Sequence, residues 1–230
     1  MFLKKKIQFI LNKPQLSENI GMSIRSIGCF GFKDLNLVNP RNPWPNEKGL
    51  SSSKHFSSIA KSVKTFSSIA EATKKSDLII ATTVRQRDFN IPQIKIKDIN
   101  KMNARNISIL FGQENNGLTN QEISFSNYIL TLPTLNKRSL NLSHTISVVA
   151  YELSQLEILK FDQNKVGLLK SDQIENFVNF LMKTLKNKAF ATVPSKRLNL
   201  EISIRNFLKT SKIDEKSLKT AYGILKYITK

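Results

Sequence analysis

The sequence predicts an α/β fold, a parallel sheet with helices on both faces. Two observations carry this. Short, mainly apolar runs recur at residues 7–11, 35–38, 78–81, 107–111 and 128–132, and segments with helical spacing lie between several of them. Runs of that length without polar alternation suit strands buried on both faces, and parallel strands need crossover connections, usually helices.

In order, residues 7–11 form a first strand, Pro14 interrupts it, and Ser17 is a candidate N-cap for a helix carrying Ile20, Ile24 and Ile27. Gly31 closes that helix, and a second strand over 35–38 stops at Asn39-Pro40, because proline has no N–H to continue the ladder. Helices are expected over 57–61 and 67–75, then the strands at 78–81, 107–111 and 128–132. A long amphipathic helix runs from Ser139 through Ile146, Val149, Ala150, Leu153, Leu156 and Leu159. Amphipathic helices at 172–190, 198–208 and 218–228 make a small helical tail. They hold too few apolar residues to stand alone, so the tail is expected to pack on the core or on a second subunit. The domain expectation is a core over 1–161, a linker over 162–171 and a helical extension over 172–230.

The chain has 230 residues and a formal charge of +19, from 36 Lys and Arg against 17 Asp and Glu, which is the electrostatic footprint of a binder of phosphate backbones. A Lys- and Asn-rich genome would leave a similar composition. The excess falls on both sides of Glu157, so neither part is a bare basic tail. A single cysteine, Cys29, excludes an intrachain disulfide and a cysteine-based metal cluster within one chain, and it fits a reducing compartment. The apolar run after Lys4-Lys5-Lys6 is too short for a signal peptide, and no run reaches the length of a membrane span, so a cytoplasmic location with no membrane partner is expected. His55 and His144 are the only histidines, which leaves little material for a histidine-centred triad or a metal site.

Three polar segments follow expected strands. In Asn19-Ile20-Gly21-Met22-Ser23-Ile24-Arg25-Ser26, helical geometry puts Arg25 nearly opposite Asn19; it either points into a cleft or rests on a solvated face. In Phe111-Gly112-Gln113-Glu114-Asn115-Asn116-Gly117-Leu118, two glycines bracket a carboxylate. This is either a loop whose backbone meets a ligand or a tight turn with Gly117 at positive φ; it is neither a Walker loop nor a GxGxxG turn. In Ser139-Leu140-Asn141-Leu142-Ser143-His144, Ser139 or Asn141 can serve as a helix cap alone.

Taken together, these segments resemble motifs one, two and three of the SpoU branch of the SPOUT methyltransferases, over about residues 5–155. Thr82-Thr83-Val84-Arg85-Gln86-Arg87 resembles the Thr-Ser-Ala-Arg run of the TrmJ-type subgroup, and residues 194–208 resemble its carboxy-terminal extension. That subgroup methylates the ribose of nucleotide 32 in tRNA anticodon loops. The resemblance implies a C-terminal trefoil knot in the α/β domain, which sequence patterning would not suggest. It also implies S-adenosylmethionine as methyl donor, tRNA as partner, and a homodimer whose two subunits build the active site. Thr82, Thr83, Val84, Gly112, Leu132, Ser139, Leu140 and Leu142 match the donor pocket, and Asn19, Arg25, Glu114, Ser139 and Asn141 match the catalytic-site positions; no metal is implied.

The sequence departs from the subgroup at Gln113, where Arg is frequent, and at Lys137-Arg138, which replaces Tyr-Ser. The resemblance gives Arg25 the central role. A guanidinium stays protonated, so Arg25 is expected to grip the adjacent phosphate and stabilise alkoxide charge, with Glu114 and Asn19 holding Arg25 and the ribose in place. No separate RNA-binding domain precedes residue 5, so core, tail and partner subunit are expected to grip a compact RNA. A ribosomal RNA methyltransferase, or a non-catalytic RNA-binding protein on the same fold, are the competing readings.

Overall fold

A computed structural model describes residues 2–84, 91–134, 136, 138–156, 160–162, 169–187, 190, 193–211 and 213–228, with the backbone alone at 2–4 and 160–162. Arg85, Gln86 and Arg87, Lys137, and much of the expected linker lie outside the described residues.

Seven strands form one sheet: β2 (Lys6–Asn12), β3 (Asp34–Val38), β4 (Lys64–Phe66), β5 (Leu78–Thr82), β6 (Gln93–Ile94), β7 (Asn106–Phe111) and β8 (Tyr128–Leu130). Their order is β4-β3-β2-β7-β5-β8-β6 and every pairing is parallel. A separate antiparallel pair joins β1 (Phe2–Lys4) to β9 (Lys160–Asp162). The chain builds outward from β2 to β4, crosses to β5 and β6, then inserts β7 between β2 and β5 and β8 between β5 and β6.

The strand runs are apolar because both faces are buried. In β5, Leu78 and Ile80 belong to one core layer, while Ile79 and Ala81 belong to the other. The first layer receives Ile20, Ile24 and Ile27 of α1 (Ser17–Cys29) and Ile146, Val149, Ala150 and Leu153 of α6 (Leu142–Ser154). Within it the Phe9 and Phe111 rings stack with centroids 6.1 Å apart. The second layer receives Ile69 and Ala72 of α4 (Ile69–Ala72) and Ile123 of α5 (Asn120–Ile123). The shorter helices α2 (Glu47–Ser53) and α3 (Ser57–Ser62) pack against α1 and each other. A 3-10 turn over Ile96–Lys101 ends on Lys5, whose buried ammonium donates to the carbonyls of Ile99 (2.8 Å), Asn100 (3.3 Å) and Met102.

Several expectations change. Ser17 is the first residue of α1 rather than its cap; its Oγ accepts from Asn46 Nδ2 (3.0 Å), and Leu16 precedes the helix without a side-chain cap bond. The helix expected over 67–75 shrinks to α4, capped by Ser68. The long helix starts at Leu142, capped by Asn141 rather than Ser139, and ends at Ser154; Leu159 lies outside the described residues. As expected, Gly31 (φ 81°) follows α1 in the left-handed region. None of the described helices is long and apolar enough to cross a membrane.

The tail consists of α7 (Ser171–Asn187), α8 (Pro194–Thr210) and α9 (Glu215–Ile228), which share a core of Ile174, Phe177, Val178, Met182, Leu208 and Leu218. It packs on the sheet domain through Arg205 of α8. This buried guanidinium pairs with Glu175 of α7 (2.9 Å) and Glu201 (2.7 Å), donates to Ser124 Oγ (3.2 Å), and lies 4.4 Å from the Phe125 ring centroid. Asn127 Nδ2 adds a bond to the carbonyl of Lys209 (3.2 Å). Removing one partner of a buried pair leaves the other charge without compensation. Arg205→Ala is therefore expected to cost about 3 kcal/mol or more in urea unfolding; a loss below about 1 kcal/mol would show that the pair is not a buried joint.

Candidate active site

A cleft opens at the carboxyl ends of β7, β5 and β8, adjacent in the sheet, which is where parallel α/β sheets bind ligands. Thr82, Thr83 and Val84 reach it from β5, Phe111 to Gly117 from β7, Leu130, Leu132 and Thr134 from β8, and Ser139, Leu140, Leu142 and Thr145 from the start of α6. All eight residues matched to the donor pocket thus line one cleft.

Its loops are held by their own polar groups. Thr82 Oγ1 donates to the Leu110 carbonyl (3.0 Å), Thr83 N to the Leu130 carbonyl (3.2 Å), and Thr131 Oγ1 back to the Thr83 carbonyl (2.9 Å). After β7 the chain closes a short turn in which Gly117 N donates to the Gln113 carbonyl (2.9 Å), with Gly117 at φ 64°. The two readings of this segment coincide: it is a tight turn, and its backbone lines the cleft. Gly112 is held by space alone. A Cβ there would sit 2.3 Å from the Gly117 carbonyl carbon and 2.4 Å from Leu118 N.

Three of the matched catalytic positions form a chain of hydrogen bonds. Asn141 Nδ2 donates to Asn19 Oδ1 (3.3 Å), and Asn19 Nδ2 donates to Glu114 Oε1 (2.8 Å). Glu114 also accepts from the backbone amides of Gln15 (2.9 Å) and Leu16 (3.2 Å), where the chain enters α1. Asn141 Oδ1 meanwhile caps α6 through Ser143 N (2.8 Å) and accepts from Ser143 Oγ (2.8 Å). Asn141 is thus both cap and link, and Ser139 stands exposed on the cleft wall.

Arg25 is not in this chain. It is exposed on α1, and among the described residues its side chain has no hydrogen bond or ion pair. The expectation that Glu114 and Asn19 hold Arg25 is therefore corrected within one chain: both are spent on each other and on the entry to α1. Sequence reasoning also missed Gln15, whose Nε2 donates to Gln113 Oε1 (3.3 Å) at the cleft edge, and Thr134 and Thr145 in its lining. Gln15 beside Pro14 carries no periodic signal, because its role depends on a contact 98 residues away.

The Gly112 contacts give a measurable contrast. Gly112→Ala is expected to destabilise the protein by about 1–3 kcal/mol, since the clash is with backbone. Gly223→Ala, with open space around it in α9, should stabilise by about 0.5–1 kcal/mol. Equal unfolding midpoints for the two variants would contradict the close approach at Gly112.

Comparison with known proteins follows the same residues. The model of the SpoU rRNA Methylase family matches residues 6–151. A tRNA (cytidine-2′-O-)-methyltransferase, TrmJ of Methanocaldococcus jannaschii, is 32% identical over 192 residues, covering 78% of this chain and 83% of its own. The tRNA (cytidine/uridine-2′-O-)-methyltransferase TrmJ of Photorhabdus laumondii is 25% identical over 239 residues, covering 98% of each. The crystal structure of TrmJ from Z. mobilis superposes with a TM-score of 0.86 at 28% identity, over 97% of this chain and 99% of that one. With the second and third motif segments lining one cleft, the first tied to both through Asn19, and the family model spanning that whole region, the chain belongs to the SpoU methylase family.

Proposed function

We propose that this chain transfers a methyl group from S-adenosylmethionine to a ribose 2′-hydroxyl of tRNA, at nucleotide 32 of the anticodon loop. The observation that carries the reading is the cleft itself, built from all the matched donor residues, in a chain whose relatives are named as tRNA 2′-O-methyltransferases. The cleft fits the donor chemically. Val84, Leu130, Leu132, Leu140 and Leu142 offer apolar walls to a purine, while Thr83, Thr134, Ser139 and Thr145 offer hydroxyls to a ribose. Glu114, the only charged side chain among the described lining residues, carries the sign that suits a cationic ligand.

The bound donor supplies an electrophilic methyl group. A 2′-hydroxyl is a weak nucleophile, so the protein must place it and favour departure of its proton. Arg25 has no acceptor capacity and is not the base. Its role in this reading is to grip the neighbouring phosphate and stabilise charge on the 2′-oxygen, while the proton leaves to phosphate or water.

Arg25 acts in this reading at a site shared by two subunits. The support is a strip shared by α1 and α6: Met22 (39% exposed) one turn before Arg25, with Val148 (39%) and Tyr151 (49%) on α6. Ser26 Oγ and Ser147 Oγ, 2.6 Å apart, tie the two helices together beneath it. A homodimer through this face covers the apolar strip and brings Arg25 toward the partner. The reading includes the C-terminal trefoil knot that the family resemblance implies, with which the insertion of β7 and β8 between strands laid down earlier is compatible. Residues 1–161 make up the proposed catalytic domain and 172–230 an extension that adds basic surface.

The test is methyl transfer from labelled S-adenosylmethionine to unmodified tRNA, with the product mapped. The expected result is 2′-O-methylation at nucleotide 32, and Arg25→Ala at saturating donor should lose about 100-fold in turnover. Near-wild-type turnover in that variant would remove Arg25 from the mechanism. Transfer to ribosomal RNA alone would move the substrate, and donor binding without transfer to any RNA would contradict an enzymatic role.

A further inference from the structure

The opposite end of the sheet holds a second cavity, of about 510 Å³, unconnected with the donor cleft. Its floor is made by the first residues of four strands: Lys6 and Gln8 of β2, Asp34 and Asn36 of β3, Lys64 of β4, and Asn106 and Ser108 of β7. The pairings Lys6↔Asn106, Gln8↔Ser108, Gln8↔Asp34 and Asn36↔Lys64 put these side chains on one face. Farther along the same face stand Ile10, Val38 and Leu110, buried under α4 and α5. The face therefore changes from apolar to polar halfway along its strands. Helix α4 is only four residues long; it covers the apolar half and reaches as far as Gln8, whose Nε2 donates to the Ala72 carbonyl (3.1 Å), while Ser108 is buried with its Oγ 2.6 Å from Ser76 Oγ.

Four lysines surround the opening: Lys6, Lys33, Lys64 and Lys75. All four are exposed, and none of their ammonium groups forms a hydrogen bond or ion pair with another described residue. Asp34 is the one acid in the lining. A cavity at the polar end of a sheet face, ringed by ammonium groups that pair with no carboxylate among the described residues, is a place where an anion gains several charge-assisted contacts at once. Asn36 and Asn106, both half-buried, supply amide groups beneath it.

We infer that this cavity is a second RNA contact, taking phosphates of the substrate backbone at a distance from the reacting ribose. The inference rests on the RNA substrate of the proposed function. Along β7 the cavity floor ends at Ser108 and the cleft begins at Phe111, about 10 Å farther along the strand, so the phosphates held here belong to nucleotides other than the target. Such a contact gives affinity and orientation without reading sequence.

The experiment compares tRNA binding across a salt series for three proteins: the unaltered chain, a variant with Lys6→Gln, Lys33→Gln, Lys64→Gln and Lys75→Gln, and a control with Lys48→Gln, Lys54→Gln, Lys97→Gln and Lys183→Gln. Each phosphate contact contributes roughly 0.7–0.9 to the slope of log affinity against log salt. The cavity variant is expected to lose about 2 or more from that slope and about tenfold in affinity at low salt, with S-adenosylmethionine binding retained as a check on the fold. The control, with the same change in net charge, should lose far less. An unchanged slope in the cavity variant, or an equal loss in the control, would overturn the second site alone. Absence of tRNA binding by the unaltered chain would overturn both this inference and the functional reading beneath it.

Discussion

The Glu114 carboxylate is the constraint on which the rest of the site depends. It leaves the sheet in the turn after β7 and is consumed by three donors, the amides of Gln15 and Leu16 and the amide of Asn19. Helix α1 begins without a side-chain cap of its own, so a charge from 98 residues away sits at its amino end, where the helix dipole favours an anion. Through Asn19 the same link reaches Asn141, which caps α6. One carboxylate thereby ties the turn that lines the cleft to the starts of the two helices that cover one face of the sheet.

This arrangement divides labour among polar residues that look equivalent in a motif. Glu114, Asn19 and Asn141 satisfy one another and fix backbone, so their first contribution is position. Ser139 and the threonines around it face the cleft. Arg25 stands apart on the exposed side of α1, beside apolar residues that a monomer leaves uncovered. The proposed chemistry needs Arg25 brought to a cleft, and the proposed dimer is what would bring it there. The tail is joined to the core differently, by a buried arginine with two carboxylates, a hydroxyl and an aromatic face.

The fold was legible where burial is two-sided. Strands β2, β3, β5 and β7 carry apolar runs where helices cover both faces, and α1, α6 and the tail helices show their apolar stripes. The short edge strands β4 and β6 were not legible, since two or three residues carry no period, and neither was α2, whose serines lack a stripe. Strand order cannot be read from local pattern, because β7 and β8 take places between strands that precede them. At the site, the family motifs located the cleft residues, but the contacts among them are long-range. Nothing local shows that Glu114 serves α1 rather than Arg25, or that Arg205 on an amphipathic helix is buried.

The most direct measurement is therefore on Glu114→Gln, which keeps the shape and removes the charge. A glutamine offers one acceptor oxygen to three donors and sets its own amide against a backbone N–H. If this link organises the cleft, both S-adenosylmethionine affinity by calorimetry and methyl transfer to tRNA should fall at least about tenfold, while the protein remains folded. Donor affinity and turnover equal to those of the unaltered chain would contradict the account.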